Sequence, residues 1–298
     1  MNSGLSKESS PELYPRTGDN MTYLIPSFYI IGERKCGTSS LFRYLTDHPQ
    51  IMPGKRKEPN FFIHDSEYLA SHWEEYLANF PQWSNRSPAT LIWPELDAQG
   101  LLYEEPVEFD WPSTGVVLTG EASANTFFDV PPQVIKAHLP AIKLILMLRD
   151  PVERTFSHYR MLQRFTAEGR DIGWKLETLE REMDREMEDF KTGQYGQLLG
   201  PSCYILKLPA WIETFGWDQI RILDIKSING QNKWTATMRE LYAWLGVEPY
   251  RPATEIRYNQ APPEAIPTEI RETLQSFFRP FNEQLFDFLG YRLPWDSN

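Results

Sequence analysis

A short apolar run that stops at a glycine constrains this chain more than any other feature. A second glycine follows five residues on, and then a helical stripe begins. Ser27 to Ile31 reads as a buried strand ending at Gly32. Leu41, Phe42 and Leu45 mark one face of a helix that Thr38, Ser39 and Ser40 cap and His48-Pro49 closes. Strand, turn and helix in immediate succession predict an α/β fold, with a P-loop-like parallel sheet flanked by helices. The turn, Gly32-Glu33-Arg34-Lys35-Cys36-Gly37-Thr38-Ser39, nearly has the spacing of the phosphate loop G-x-x-x-x-G-K-[ST]. Its glycines let backbone N–H groups converge on an anion, and the helix N-terminus adds positive potential. The departure is chemical. Thr38 stands where a nucleoside triphosphatase has its lysine, and the lysine sits ahead of the second glycine, at Lys35.

Further elements follow from pattern. Gly115 to Gly120 and Ile142 to Leu148 read as strands, the second almost continuously apolar as a central parallel strand should be. Helices are expected over 132–138, 151–165, 202–215, 234–245 and 268–289, and a strand over 220–223. Leu176, Leu179, Met183, Met187 and Phe190 form the apolar stripe of one more helix, whose acidic residues read as a solvated face. The segment 79–112, rich in Pro and Trp, reads as irregular, a long loop of the kind that forms lids or binding walls. Residues 1–25 read as a flexible leader and 26–298 as one domain.

Charge and composition narrow the function. Lys and Arg number 30 against 41 Asp and Glu, a net charge of −11, which disfavours nucleic acid and points to a small-molecule partner, neutral or cationic. No apolar run is long enough for a membrane span, and Cys36 and Cys203 are too few for a disulfide scaffold. The expectation is a cytoplasmic protein that works away from membranes. Arg149 follows the apolar strand, where open α/β sheets bind ligands, and Ser157 lies two helical turns into the next helix. An arginine fork and a hydroxyl suit a second anion, although Arg149 is also placed to pair with Asp150 alone. Two anion sites at neighbouring strand ends imply a ligand with two separated anionic groups.

These residues, with Lys57-Glu58-Pro59, Gly120-Glu121-Ala122-Ser123, the run Arg149 to Tyr159 and Arg279-Pro280-Phe281-Asn282, resemble sulfotransferases that use 3′-phosphoadenosine 5′-phosphosulfate (PAPS) and release the bisphosphate PAP. The likeness runs over roughly residues 27–290, and its branch is that of the carbohydrate sulfotransferases, of the chondroitin N-acetylgalactosamine 4-sulfate 6-O-sulfotransferase type. It implies that Arg34, Lys35, Cys36, Gly37, Thr38, Ser39 and Ser40 grip the 5′-phosphosulfate and that Arg149 and Ser157 grip the 3′-phosphate, with Tyr204 near the cofactor. It implies no metal. Lys35 would stabilise the leaving phosphate, and Glu58 would be the general base, with Glu121 as the alternative. Phe61, Phe62, His64 and Phe127 are candidate walls of an acceptor pocket able to stack on a cation. His64 and His158 are further candidate bases, and Cys36 reads as a small loop residue rather than a nucleophile. An acidic chain of this kind fits a natural-product acceptor such as a guanidinium alkaloid of the saxitoxin type. A glycan O-sulfotransferase, a P-loop small-molecule kinase and a non-catalytic nucleotide-binding module remain open alternatives.

Overall fold

The computed structural model describes residues 13–15, 22–83, 89–96, 102–111, 117–228, 231–251 and 264–295. Its strands are β1 (Leu13–Pro15), β2 (Thr22–Leu24), β3 (Phe28–Gly32), β4 (Ile51–Pro53), β5 (Ala89–Leu96), β6 (Leu102–Phe109), β7 (Leu118–Ala122), β8 (Lys143–Leu148) and β9 (Ile220–Asp224). Five of them form the central sheet in the order β4-β7-β3-β8-β9, and every pairing in it is parallel. All five therefore end on the same side, and the two expected anion-binding segments leave from neighbouring strands, β3 and β8. Every residue of β3 and five of the six in β8 are buried, as strands covered on both faces require.

The helices are α1 (Thr38–Thr46), α2 (Ser66–Leu77), α3 (Thr126–Asp129), α4 (Pro132–His138), α5 (Pro151–Ala167), α6 (Leu179–Lys191), α7 (Leu208–Phe215), α8 (Gln231–Leu245) and α9 (Thr268–Leu289). None is long and apolar enough to cross a membrane among the described residues. The start of α5 explains the Arg-Asp-Pro triplet. The Asp150 carboxylate accepts the N–H groups of Val152 and Glu153 at 2.9 and 3.1 Å, and Pro151 opens the helix where its missing N–H costs nothing. Arg149 is thereby fixed at the junction of strand and helix.

Several expectations are corrected. The segment 79–112 is not wholly irregular: β5 and β6 form an eight-pair antiparallel ladder. Pro94 and Pro106 hid it, because prolines in a strand count against a strand reading except at sheet edges, and both strands of an isolated pair are edges. The expected helix over 202–215 is two 3₁₀ turns, Gly200–Ser202 and Tyr204–Leu206, and then α7; Pro209, in the first turn of α7, has no N–H to bond the carbonyl four residues back, so the helix does not extend upstream of Leu208. Helix α6 is not simply solvated on its acidic side, since Glu182 and Glu186 are buried. Glu186 accepts the N–H of Leu198 at 2.9 Å and of Leu199 at 2.7 Å. At the other terminus β1 pairs with β2, and Tyr23 and Leu24, inside the expected leader, are buried. Gly115 and Val116, expected to begin a strand, lie outside the described residues. Pattern reading did not find β4, α2 or α3.

Gly120, inside β7, faces the Phe28 ring of the neighbouring strand, and a Cβ there would fall 2.2 Å from it. Gly120→Ala is therefore expected to cost about 2–3 kcal/mol in urea unfolding. An unchanged midpoint would show that the two strands are less tightly packed than this.

Candidate active site

The turn after β3 spends two of its own amides on Glu33: the Arg34 N–H donates to the Glu33 carboxylate at 2.7 Å and the Cys36 N–H to the Glu33 carbonyl at 3.0 Å. Lys35 (φ 70°) and Gly37 (φ 85°) adopt left-handed backbone. The carbonyls of Arg34 and Lys35 turn away toward two guanidinium groups, Arg154 Nε at 3.2 Å and Arg149 Nη1 at 3.3 Å. Gly37 is the N-cap of α1, whose first-turn N–H groups have no partner within the helix. Thr38 is buried there, and Ser39 and Ser40 are half-buried. Arg34 is committed to Asp129 (3.3 Å) and to the Gln197 side chain (3.0 Å).

Lys35 is the electrostatic focus. Burial pushes its ammonium down to about 8, and the positive charges of Arg164, Arg149 and Arg154 push in the same direction, while Glu58 opposes them. In a chain of net charge −11, the carboxyl end of β3 and β8 thus carries a concentrated positive field.

Arg149 does not pair with Asp150, whose carboxylate caps α5; its partner is Glu153, at 3.2 Å. Glu153 also accepts from Arg271 at 3.2 Å. Ser157 is half-buried further along α5. Tyr204 is a brace. Its hydroxyl donates to the Arg149 carbonyl at 2.8 Å and stands 3.5 Å from the Cys36 sulfur, linking the segments that follow β3 and β8. Cys36 is buried, and burial drives its thiol up to about 12, which disfavours the thiolate.

Both carboxylates lie at the same end of the sheet. Glu58 (φ 58°) and Asn60 (φ 52°) adopt left-handed backbone in the segment between β4 and α2. The Glu58 N–H donates to the Ala122 carbonyl at 2.8 Å, which hangs this turn on the end of β7. The Glu58 side chain is 43 % exposed and pairs with the buried Lys57 ammonium. Glu121 is the opposite case: it is buried, and desolvation holds its carboxyl up at about 7 against donated hydrogen bonds from Tyr76 and Ser123.

The expected aromatic wall is not formed by the residues named for it. Phe61 and Phe62 are buried against Tyr76 and Trp73, and Phe127 is buried against Trp211. Their faces are covered by core neighbours. His64 is exposed and lies against the Tyr68 ring at 4.0 Å. His158 is buried and its Nδ1 accepts from Arg154 at 2.9 Å; burial and the Arg154 charge push its imidazole well below the usual range, which makes it a poor proton acceptor. Sequence reasoning gave no role to Arg154, Tyr76, Ser123 or Asn60. The spacing of Arg154 four residues before His158, on one face of α5, was the only local signal of a buried polar pair.

The sulfotransferase family model matches residues 26–252. Among curated relatives, carbohydrate sulfotransferase 15 of Homo sapiens is 26% identical over 305 residues, covering 89% of this chain and 54% of that protein. Heparan sulfate glucosamine 3-O-sulfotransferase 5 of Mus musculus is 25% identical over 299 residues, with 91% and 74% covered. The chain spans about half the length of the first of these. Among solved structures, a sulfotransferase from Alicyclobacillus acidocaldarius shares the fold with a TM-score of 0.63 at 23% identity, over 90% of this chain and 97% of that one.

If Tyr204 braces the site, Tyr204→Phe should lower stability by about 1–2 kcal/mol in urea, because the Arg149 backbone loses its hydroxyl partner. A variant as stable as the parent would leave the hydroxyl without that role.

Proposed function

This chain belongs to the sulfotransferase family, and we propose that it transfers a sulfuryl group from PAPS to a hydroxyl or amine of a small-molecule acceptor. The observation that carries this reading is the meeting of Lys35 and Arg149 at the ends of adjacent strands, with the Arg149 guanidinium 3.3 Å from the Lys35 carbonyl. The residues present fit PAPS: the positive field at Lys35 has three arginines within it, and the two segments suit a ligand with separated anionic groups. Lys35 and the first turn of α1 would hold the 5′ end, and Arg149 with Ser157 the 3′-phosphate. When bound, PAPS supplies an activated sulfuryl group on a phosphate leaving group.

The protein's part is positioning and charge. Lys35, as the cation, stabilises negative charge at the leaving oxygen. The half-exposed Glu58 takes the acceptor proton; it is the carboxylate open to an incoming hydroxyl, whereas Glu121 is closed off. With Phe61, Phe62 and Phe127 in the core, the net charge of −11 is what supports a neutral or cationic small acceptor, including the guanidinium class. A second reading, a glycan hydroxyl, is favoured by the likeness to carbohydrate and heparan sulfate sulfotransferases. Turnover on desulfated and sulfated oligosaccharides beside small alcohols and amines separates the two.

PAP alone should raise the melting temperature, with about 2.7 kcal/mol of stabilisation at 100 times its dissociation constant. ATP with magnesium should not; the reverse outcome would make the protein a kinase. Glu58→Gln should lower kcat about 10²-fold or more while leaving PAP affinity unchanged. Because Lys35 titrates near 8, PAP binding should weaken by up to about tenfold per pH unit above that value, as the free protein must recover a proton to bind. Lys35→Arg should flatten that dependence; a dependence that survives in Lys35→Arg would place the titrating group elsewhere.

A further inference from the structure

A sealed carboxylate lies directly behind the turn that carries Glu58. Glu121, the last residue but one of β7, accepts the hydroxyls of Tyr76, from α2, and of Ser123, the latter at 2.8 Å. Tyr29, from β3, stands against it with its own hydroxyl 2.5 Å from that of Thr126. The Ser123 oxygen in turn accepts the Asn60 N–H at 3.1 Å, while the Ala122 carbonyl accepts the Glu58 N–H at 2.8 Å. Both left-handed residues of the turn are therefore tied to the two residues that follow Glu121. Such backbone persists only where its surroundings over-determine it.

We propose that Glu121 is a positioning residue: its carboxylate orients the Ser123 hydroxyl, which holds the Asn60 amide and so keeps the Glu58 carboxyl aimed at the acceptor. The proposal rests on the reading of Glu58 as base. A serine hydroxyl has one proton. When that proton goes to Glu121, the lone pairs face Asn60; without an acceptor behind it, the hydroxyl rotates and the amide loses its partner. The titratable groups facing Glu121 are Tyr29 and Tyr76, both driven far above the usual phenol range by burial, with the neutral Ser123 and Thr126 hydroxyls completing the surroundings. Glu121 itself titrates at about 7. Above that value it is an ionised acceptor and draws the Ser123 proton firmly. Below it the carboxyl is a weaker acceptor with a proton of its own to place, and the turn loosens. Activity should rise through neutrality by this route although Glu121 touches no reactant.

The test combines a pH profile with amide exchange. At saturating donor and acceptor, wild-type kcat is expected to rise with a midpoint near 7. Glu121→Gln gives Ser123 a neutral acceptor that cannot ionise, so kcat should stay at the wild type's low-pH level with a flat profile. Ser123→Ala should also lose the rise and lower kcat about tenfold at high pH, with PAP affinity unchanged. Independently of turnover, exchange at the Asn60 amide, compared at one pH above 7, should quicken about tenfold in Ser123→Ala and by less in Glu121→Gln, whose acceptor is neutral but present. A rise near neutrality that persists in both variants, or unaltered Asn60 exchange in Ser123→Ala, would overturn the proposal. Absence of sulfuryl transfer in the wild type, with Asn60 exchange quickened in Ser123→Ala, would instead defeat only the functional reading.

Discussion

The donor end of this protein hangs on one buried guanidinium. Arg154, on the first turns of α5, is fully buried, and its partners are neutral: the carbonyls of Arg34 and Leu198, the Ser202 hydroxyl and the His158 ring. A buried cation is stable only where every donor is met, so each partner is drawn into a fixed place. The Arg34 carbonyl is held back against α5, which fixes the course of the loop after β3. The Leu198 carbonyl brings in the segment whose N–H groups Glu186 of α6 secures from the other side. Burial, with the Arg154 charge beside it, pushes His158 well below the usual imidazole range, and its Nδ1 accepts from Arg154. Strand, loop, α5 and α6 thus share one polar knot beneath the surface where Lys35 and Arg149 present their charge.

Among the described residues, the non-glycine positions with left-handed backbone are Lys35, Glu58 and Asn60. All three lie in segments that leave or adjoin the carboxyl ends of the central strands. Two different supports hold them. On the donor side guanidinium groups grip carbonyls, and on the acceptor side the end of β7 grips amides. Strain confined to these turns, with regular structure elsewhere, is what a site needs when reacting groups must meet from separate strands.

The chain declared much of this in advance. Gly32, Gly37 and the polar run from Thr38 located the first turn, although Gly37 is the N-cap of α1 and no hydroxyl caps it, and the apolar strand before Arg149 with Asp150-Pro151 after it located the second. Both are local signals with local causes. What stayed hidden depends on distant partners. That Arg149 pairs with Glu153 instead of Asp150 follows from Asp150 being used as a cap. That Phe61, Phe62 and Phe127 are core follows from α2 and α7 packing over them, and an aromatic side chain reads the same in a wall or in a core. The relation of the two carboxylates was out of reach for the same reason, since Tyr76 and Glu121 lie 45 residues apart.

The central claim is that Arg149 reads a second anionic group at the end of β8 while the Lys35 loop reads the first. Calorimetry of PAP and of adenosine 5′-phosphate, each against wild type and Arg149→Ala, tests it directly. Removing the 3′-phosphate should cost the wild type about 1.5–3 kcal/mol and the variant almost nothing, because the two losses are the same contact. Equal and additive losses would mean that the 3′-phosphate is held elsewhere and that the two-anion site is misplaced.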